Sequence, residues 1–210
     1  RLSFNPNPTT KLELKLSTLM DNIPDKIYFK NLKSEFVLAN KSCTRNFGLD
    51  KMEDCLGKTD FDFFELEHAQ ASWNDEQTII KTGVPIIGKE ELESWPDGRE
   101  SWVSSTKMAW KNDKGEVIGT FGASRDITKI KMIEEQIQAL MQTVPDRIYF
   151  KDKERRFVTI NTAFEKIFKT SDLGQITGKR EEDFFAPGYY EVSRLDDEKV
   201  IFTGKPIIGK

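Results

Sequence analysis

The sequence is poor in the residues that build catalytic and metal sites. Among 210 residues it has one histidine, His68, and two cysteines, Cys43 and Cys55. A nucleophilic site needs a base beside its nucleophile, and a zinc site needs clustered cysteine and histidine ligands. We therefore predict no catalytic residue, no metal site and no enzymatic activity for this chain by itself. The two thiols are expected to be reduced, and a disulfide between them is the alternative.

The sequence also lacks a basic patch, a long apolar run and a glycine-rich phosphate-binding motif. Its 32 Lys and Arg and 35 Asp and Glu residues alternate along the chain and give a net charge of −3. Nucleic-acid binding usually needs clustered basic residues, and a membrane span needs roughly 18 consecutive apolar residues. We therefore expect no nucleic-acid partner and no membrane contact for this fragment, and a cytoplasmic location. An anchor elsewhere in a parent protein stays open.

What the sequence does contain is a repeat with a constant offset of 121 residues. Residues 23–89 align with residues 144–210 without a gap, and 25 of the 67 aligned positions are identical. Segment 23–30, for example, returns as segment 144–151. A period near 120 is too long for a solenoid repeat and matches the size of one small domain.

The repeat predicts the domain organisation. We expect a lead-in and signalling helix over residues 1–22, a first domain over 23–128, a linker helix over 129–143 and a second domain over 144–210. Residues 90–128 of the first domain have no counterpart in the second. The chain is therefore expected to be a piece of a longer protein. The last two strands of its second domain would be unseen, deleted or supplied by another chain.

Two helices that precede the repeats carry similar apolar seams. Their apolar residues are spaced alternately by three and four positions, over residues 10–22 and 128–143. This spacing is typical of a coiled coil, and it also fits an amphipathic helix that packs on its own domain. The seam residues, which we predict to mediate dimerisation and signalling, are Leu12, Leu16, Leu19, Ile23, Ile130, Ile133, Ile137 and Leu140.

Alternating apolar residues and turn residues predict five strands in the first domain. Two short strands, over 26–30 and 35–39, come first, and a long helix over 65–82 follows them and ends at Gly83. Three strands separated by Asp-Gly and Asp-Lys-Gly turns are then predicted over 86–94, 100–111 and 116–124. This order predicts an α+β fold with one five-stranded antiparallel sheet and its helices on one face.

Three segments carry a resemblance to the PAS domain family. The opening strands are matched by Ile-Pro-Asp-Lys-Ile-Tyr-Phe-Lys at 23–30 and by Phe-Val-Leu-Ala-Asn at 36–40. The middle is matched by Thr-Gly-Val-Pro at 82–85, which an Asp-Gly-Arg turn follows later. The end is matched by segment 115–119 running into Asp126-Ile127-Thr128, which resembles the signature where PAS domains end and an exit helix begins. The resemblance covers the first repeat completely and the second in part.

The resemblance implies a sensory module of a bacterial signal-transduction protein. PAS domains bind a small molecule or a partner between sheet and helices and pass strain to an output domain through their helices. Asp126 and Thr128 would transmit that signal. We expect a two-component histidine kinase as the parent. The alternatives are the PAS region of a diguanylate cyclase or phosphodiesterase, or a ligand-free scaffold for protein interaction and dimerisation.

Alignment with flavin-binding relatives implies which strand residues face the ligand cavity. The set is polar and includes lysines, so it would bind a small anionic or hydroxylated ligand; alternatively, the lysines extend to solvent and side chains fill the core. Phe64 and Trp73 would close the cavity from the helical side. The strand residues predicted to bind a ligand are Tyr28, Lys30, Ser105, Lys107, Thr120 and Ser124, with Tyr149 and Lys151 in the second domain.

No cofactor is predicted, and two stay open as alternatives. The Asn-Cys-Arg-Phe-Leu-Gln motif of photosensory flavin domains is absent, so a photoactive flavin–cysteine pair is not expected. Non-covalent flavin stays open without support from the sequence. His68 lies earlier than the axial histidine of haem-binding relatives, although neutral histidine is a good iron ligand.

The opposite face of the sheet is predicted to be apolar, with Ile27, Phe29, Trp102 and Phe121 on it. A sheet that is apolar on both faces must be covered on both, and exposed apolar patches commonly mark interfaces. We expect these four residues to contact the first helix or a second subunit.

Overall fold

The computed structural model describes the backbone of residues 8–168 and 173–209, and the side chains of residues 14–168 and 174–209. The chain divides into two compact units, with the division between Lys131 and Met132. We call residues 1–131 unit 1 and residues 132–210 unit 2. The domain boundaries that the repeat predicts stay a prediction.

Unit 1 follows the predicted order of elements. Two 3₁₀ turns, Met52–Asp54 and Asp60–Asp62, lie between its short and long helices. Its helices and strands are α1 (Pro8–Asn22), β1 (Lys26–Asn31), β2 (Phe36–Ala39), α2 (Lys41–Asn46), α3 (Leu66–Thr82), β3 (Ile86–Ser94), β4 (Glu100–Lys111), β5 (Val117–Asp126) and the start of α4 (Thr128–Thr143).

The strands of unit 1 form one antiparallel sheet in the order β2-β1-β5-β4-β3. Tyr28 pairs with Gly122 and Phe29 with Phe121, so successive residues of β1 alternate between the two faces. Residues such as Tyr28 and Lys30 are buried on the face that the helices cover. The predicted α+β fold, a five-stranded antiparallel sheet with helices on one face, is confirmed.

Asn40 connects three elements at one end of this sheet. Its side-chain Oδ1 accepts hydrogen bonds from the amides of Cys43, in the first turn of α2, and Ile27, in β1, each at 3.0 Å. Its Nδ2 donates to the carbonyl of Met20 in α1 at 2.9 Å. The amide is therefore both the N-cap of α2 and the anchor of α1. In unit 2, the Asn161 side chain likewise accepts from the amides of Ile148 and Phe164, and its Nδ2 donates to the carbonyls of Val144 and Asp146.

The outer face of the sheet carries an aromatic cluster. Phe29 stacks on Phe121 with ring centroids 5.5 Å apart, and its ring lies edge-on to Trp110 at 5.3 Å. Ile27 and Trp102 on the same face are half-buried, as are these aromatic residues. Within unit 1, α1 is hydrogen-bonded to Asn40 and Lys41 at the start of α2. Contact of the outer face with α1 or a second subunit stays a prediction.

Unit 2 repeats the first part of unit 1. A two-stranded antiparallel sheet carries a small core of Phe157, Ile160, Phe164 and Ile176. None of the helices in the described part of the chain is both long and apolar enough to span a bilayer. Besides the rest of α4, the elements of unit 2 are β6 (Tyr149–Lys151), β7 (Phe157–Ile160), α5 (Thr162–Phe168), α6 (Pro187–Thr203) and the 3₁₀ turns Leu173–Gln175 and Glu181–Asp183.

Candidate functional site

The predicted strand residues of unit 1 come together beneath the helices. A cavity of ≈ 30 Å³ lies there, which is room for about two water molecules. Lys30 and Thr120 are buried beside it without lining it. The predicted residues that line the cavity are Tyr28, Phe64, Ser105, Lys107 and Ser124.

Lys30 is the best-paired charge of the interior. Its ammonium is 1% exposed and donates to Asp60 Oδ2 and Glu76 Oε1, each at 2.6 Å. Lys30 comes from β1, Asp60 from a 3₁₀ turn and Glu76 from α3, so one lysine joins three elements. Such charge-assisted bonds are short and strong, and they offset the cost of burying the charges. Lys30 therefore lies in the interior and does not extend to solvent.

Lys30, Asp60 and Glu76 form a triad, and a chain of hydrogen bonds leads from it to the cavity wall. The Ser72 hydroxyl donates to Asp60 Oδ2 at 2.5 Å and accepts from Lys107 Nζ at 2.9 Å. Lys107 is 2% exposed, and its closest carboxylate is that of Asp75 at 3.6 Å. Among the described residues, Ser72 is the only hydrogen-bond partner of Lys107. Lys107 is thus a buried cation on the cavity wall with unused donors.

A second buried pair lies at the other side of the cavity. Lys26 bonds to both carboxylate oxygens of Glu93, and both residues line the cavity. The hydroxyls of Ser105 and Ser124 are hydrogen-bonded to each other at 2.9 Å. The cavity wall therefore has hydroxyl groups and charges of both signs.

Burial and pairing shift the pKa values of the two carboxyl groups bound to Lys30 in opposite directions. Burial would raise the pKa of Asp60, but the ammonium groups of Lys30 and Lys107 and the bonds they support hold that pKa below its usual value. Burial raises the pKa of Glu76 above its usual value, and Lys30 offsets this only in part because the Asp60 charge is close. Asp60 thus carries its negative charge more readily than Glu76.

The helical side of the cavity is closed by Phe64 and His68. The two rings pack with centroids 4.7 Å apart, and His68 Nδ1 lies 3.1 Å from the carbonyl oxygen of Leu92. Burial lowers the pKa of His68, so a neutral ring that donates from Nδ1 fits this contact. The expectation for Trp73 needs correction, because this side chain is 38% exposed and does not line the cavity.

The position of Trp73 has a simple cause. The buried residues of α3 are spaced by three and four positions, and they include Ser72 and Glu76. Each residue turns a helix by about 100°, so the residue after Ser72 points away from the sheet.

The cavity does not fit the two cofactors that stayed open. Pockets for cofactor-sized ligands usually measure about 300–1,000 Å³. At ≈ 30 Å³ the interior cavity between the sheet and the helices has room for neither a haem nor a flavin ring system.

In unit 2, the predicted residues Tyr149 and Lys151 are the first and last residues of β6, two positions apart. Tyr149 is exposed, whereas the ammonium of Lys151 is held by Glu181 at 3.0 Å and Asp197 at 2.6 Å. Lys151 corresponds to Lys30, so the same lysine is clamped by two carboxylates in both units.

The start of the exit helix is hydrogen-bonded to the sheet. The Thr128 hydroxyl accepts from the amide of Trp102 in β4 at 3.0 Å, and the amide of Ile127 donates to the Trp102 carbonyl at 2.8 Å. The Asp126 side chain accepts from the Thr128 amide at 2.8 Å. The two predicted signalling residues thus meet where α4 leaves the sheet.

The predicted seams are largely exposed. Leu16 and Leu19 of α1 are exposed and Ile23 is half-buried, while the side chain of Leu12 lies outside the described residues. The seam of α4 is between 46% and 58% exposed and comprises Ile130, Ile133, Ile137 and Leu140.

Sequence reasoning missed four charged residues that build this site: Lys26, Asp60, Glu76 and Glu93. A signal existed for Glu76, since it shares its face of α3 with Ser72 four positions earlier. The alternation that placed Lys30 on the inner face of β1 also places Lys26 there. No sequence signal identified Asp60 and Glu93 as the partners, because pairing depends on how the elements pack.

A small polar cavity between an antiparallel sheet and its helices, with an exit helix bonded to that sheet, is the architecture of a sensory domain. A family model described as "PAS fold" matches residues 20–131, and a model described as "PAS domain" matches residues 135–201. The chain belongs to the PAS family, with two PAS domains in tandem.

Curated relatives are signal-transduction proteins. Over 119 residues the chain is 32% identical to the methanogenesis regulatory histidine kinase FilI of Methanothrix harundinacea, a match that spans 57% of this chain and 13% of FilI. Over 118 residues it is 29% identical to a diguanylate cyclase of Vibrio cholerae, spanning 56% of this chain and 36% of that protein. The chain thus covers only a minor part of either relative. It is a PAS sensory module of a signalling protein.

A solved structure corrects the expectation about nucleic acid. The VqmA dimer of Vibrio cholerae, solved in the absence of its target DNA, is similar with a TM-score of 0.50 and 28% identity over 56% of this chain and 52% of that one. That protein is a DNA-binding receptor. The exclusion of nucleic-acid partners was therefore wrong. The charge balance of a sensory domain says nothing about the domain to which it is coupled.

Proposed function

We propose that this chain is the sensory input region of a histidine kinase, in which unit 1 detects a small uncharged polar molecule and passes the signal to α4. The 32% identity to a regulatory histidine kinase supports this parent. A diguanylate cyclase parent is the alternative, supported by 29% identity over a similar stretch.

The observation that carries the ligand proposal is the state of Lys107. This buried ammonium faces the cavity; within the described part of the chain it is hydrogen-bonded to Ser72 alone, and the Asp75 carboxylate lies 3.6 Å away. A buried cation gains from further acceptors, and a ligand oxygen in the cavity would provide one. The hydroxyl groups of Ser105 and Ser124 lie on the same wall and add donors and acceptors.

The charges around the cavity favour an uncharged ligand over an anion. Lys26 and Lys30 are already bonded to carboxylates, so neither is available to an entering anion. The carboxylates of Asp60, Glu91 and Glu93 also line the cavity. An anion would face these charges in a medium of low dielectric, where like-charge repulsion is strong. A hydroxyl, amide or carbonyl compound would meet no such repulsion.

The relay proposal follows from the sheet contacts of α4. Lys107 and Trp102 are both in β4, and Trp102 is bonded to Ile127 and Thr128 at the start of the exit helix. Lys131, one turn into α4, forms an ion pair with Glu90 of β3 at 2.6 Å. A shift of β4 that follows ligand binding would thus reach α4 through short contacts.

The ligand proposal is tested by thermal unfolding of the whole chain with small probes. We expect acetamide or ethylene glycol to raise the melting temperature by about 2 °C or more, because a ligand that binds the folded state stabilises it. Acetate and phosphate are expected to have no such effect. Lys107→Met should abolish the response, whereas Lys111→Met, at the exposed end of the same strand, should retain it.

Two results would contradict the ligand proposal: no uncharged probe raises the melting temperature, or Lys107→Met responds like the wild type. Mass spectrometry of the denatured protein as purified gives a second readout, since a bound natural ligand would be released. Absence of both signals would favour the ligand-free scaffold.

The seam of α4 is proposed to mediate dimerisation. Four exposed apolar residues at alternating spacings of three and four form a continuous stripe, and VqmA, a structural relative, is a dimer. We expect a double change of Ile133 and Ile137 to Glu to weaken dimerisation by about 100-fold or more, measured by sedimentation equilibrium. Gln138→Glu, exposed on the side of the same helix away from the seam, should have little effect. A wild-type chain that stays monomeric would contradict the proposal.

A further inference from the structure

The clamped lysine occurs in both units with its two acids exchanged. In unit 1, Lys30 is held by Asp60 from a 3₁₀ turn and by Glu76 from the long helix α3. At the offset of 121, the 3₁₀ residue becomes Glu181 and the helix residue becomes Asp197. Both still bind the corresponding lysine, Lys151. The aspartate and the glutamate have changed places while the contacts remain.

We propose that the lysine and its two carboxylates form a length-matched latch that sets the distance of the long helix from the sheet. The side chain of glutamate is one methylene longer than that of aspartate. Where two acids from two elements bind one ammonium, the sum of their side-chain lengths sets how far apart the two elements can lie. Unit 1 has the longer side chain, a glutamate, on the helix, and unit 2 has it on the 3₁₀ turn. The summed length of the two acidic side chains is the same in both units, although neither position keeps its residue.

The surroundings show why such a match matters. The triad of unit 1 is almost fully buried, with Glu76 at 0% exposure, so water cannot fill a gap left by a short arm. Unpaired charge in that environment costs several kcal/mol. The latch also positions the cavity wall, because Ser72 lies one helical turn before Glu76 and holds Lys107. A change in the length of either acidic side chain would therefore move both Ser72 and Lys107.

The test is a double-mutant cycle in the whole chain with Asp60→Glu, Glu76→Asp and the two together. All four tryptophans lie in unit 1, so tryptophan fluorescence follows the unfolding of that unit alone. Each single change is expected to lower the melting temperature by about 4 °C or more. The double change, which copies the arrangement of unit 2, should return to within about 2 °C of the wild type.

An exposed ion pair in the same unit provides a control. Asp97 is held by Arg99 at 2.7 Å, and both side chains are more than half exposed. Solvent can fill a gap there, and exposed ion pairs contribute little. We expect Asp97→Glu to have a small effect on the melting temperature.

Additive losses in the Asp60 and Glu76 cycle, with the double variant less stable than either single variant, would overturn the latch. If neither single variant folds, the double variant decides. A folded double variant with a near-normal melting temperature supports length matching, and an unfolded one contradicts it.

Discussion

Replacing Lys30 by Met is expected to lower the free energy of unfolding of unit 1 by about 3–5 kcal/mol at neutral pH. Methionine fills a similar volume, so little packing is lost. The cost arises because Asp60 and Glu76, both buried, would lose the ammonium that each contacts at 2.6 Å. Urea unfolding followed by tryptophan fluorescence measures the change.

The pH dependence identifies electrostatics as the cause. In the variant, the folded-state pKa values of the two carboxyl groups would lie above their unfolded values. The folded state would then bind more protons, and its stability would increase as the pH falls. In the wild type the pKa of Asp60 is lowered, so its contribution is present above the usual aspartate pKa and is lost as the pH falls through the folded value. The raised pKa of Glu76 acts in the opposite direction.

Two controls complete this experiment. Lys33→Met, in the exposed turn after β1, should leave the stability unchanged. Adding Asp60→Asn and Glu76→Gln to Lys30→Met removes the unpaired charges and should recover part of the loss. A Lys30→Met variant within about 1 kcal/mol of the wild type at all pH values would show that the triad contributes little.

Gly119→Ala is expected to destabilise unit 1 by about 3 kcal/mol or more, for a steric reason. A Cβ atom at position 119 would lie 2.0 Å from the carbonyl oxygen of Lys30 and 3.1 Å from the Cα of Asn31. Both are backbone atoms of the neighbouring strand β1, so no side-chain rotation relieves the clash. The strands β1 and β5 would have to separate at the point where Lys30 enters the triad.

The control for this change is Gly188→Ala in α6, where an added Cβ meets no atom within 4 Å. Gly188 is in the first turn of α6, where the preference for alanine is smaller than in a helix interior, so a change of less than about 1 kcal/mol is expected. Circular dichroism measures both variants. A Gly119→Ala protein with the wild-type melting temperature would show that the two strands can move apart without loss.

Much of the fold could be predicted because its signals are local. The alternation of polar and apolar residues in β1 placed Tyr28 and Lys30 on one face and Phe29 on the other. Gly83, at φ +71°, ends α3, as predicted from the preference for glycine at the ends of helices. The 121-residue repeat divided the chain before any element was assigned. These patterns depend on chain geometry and on neighbours within a few positions.

The site was predictable only in part because its chemistry depends on distant pairs. Lys107 was expected at the cavity, but its single bond to Ser72 joins residues that are 35 positions apart. The prediction that Trp73 closes the cavity was wrong because packing against the sheet decides which face of α3 points inward. The size of the cavity depends on how far the side chains of several elements extend toward each other.

The sequence by itself determined that one domain is repeated, where the strands and helices of the first copy lie, and which strand residues share a face. Each of these is encoded by periodicity, turn residues or repetition along the chain, whereas the family and the inward-facing side of the sheet followed from the resemblance to PAS domains. The tertiary structure alone decided that the buried lysines are neutralised by acids from other elements, and that the remaining space is small and polar. Charge pairing and cavity volume arise between elements, and the interior tolerates a buried charge only where packing brings a partner within hydrogen-bond distance.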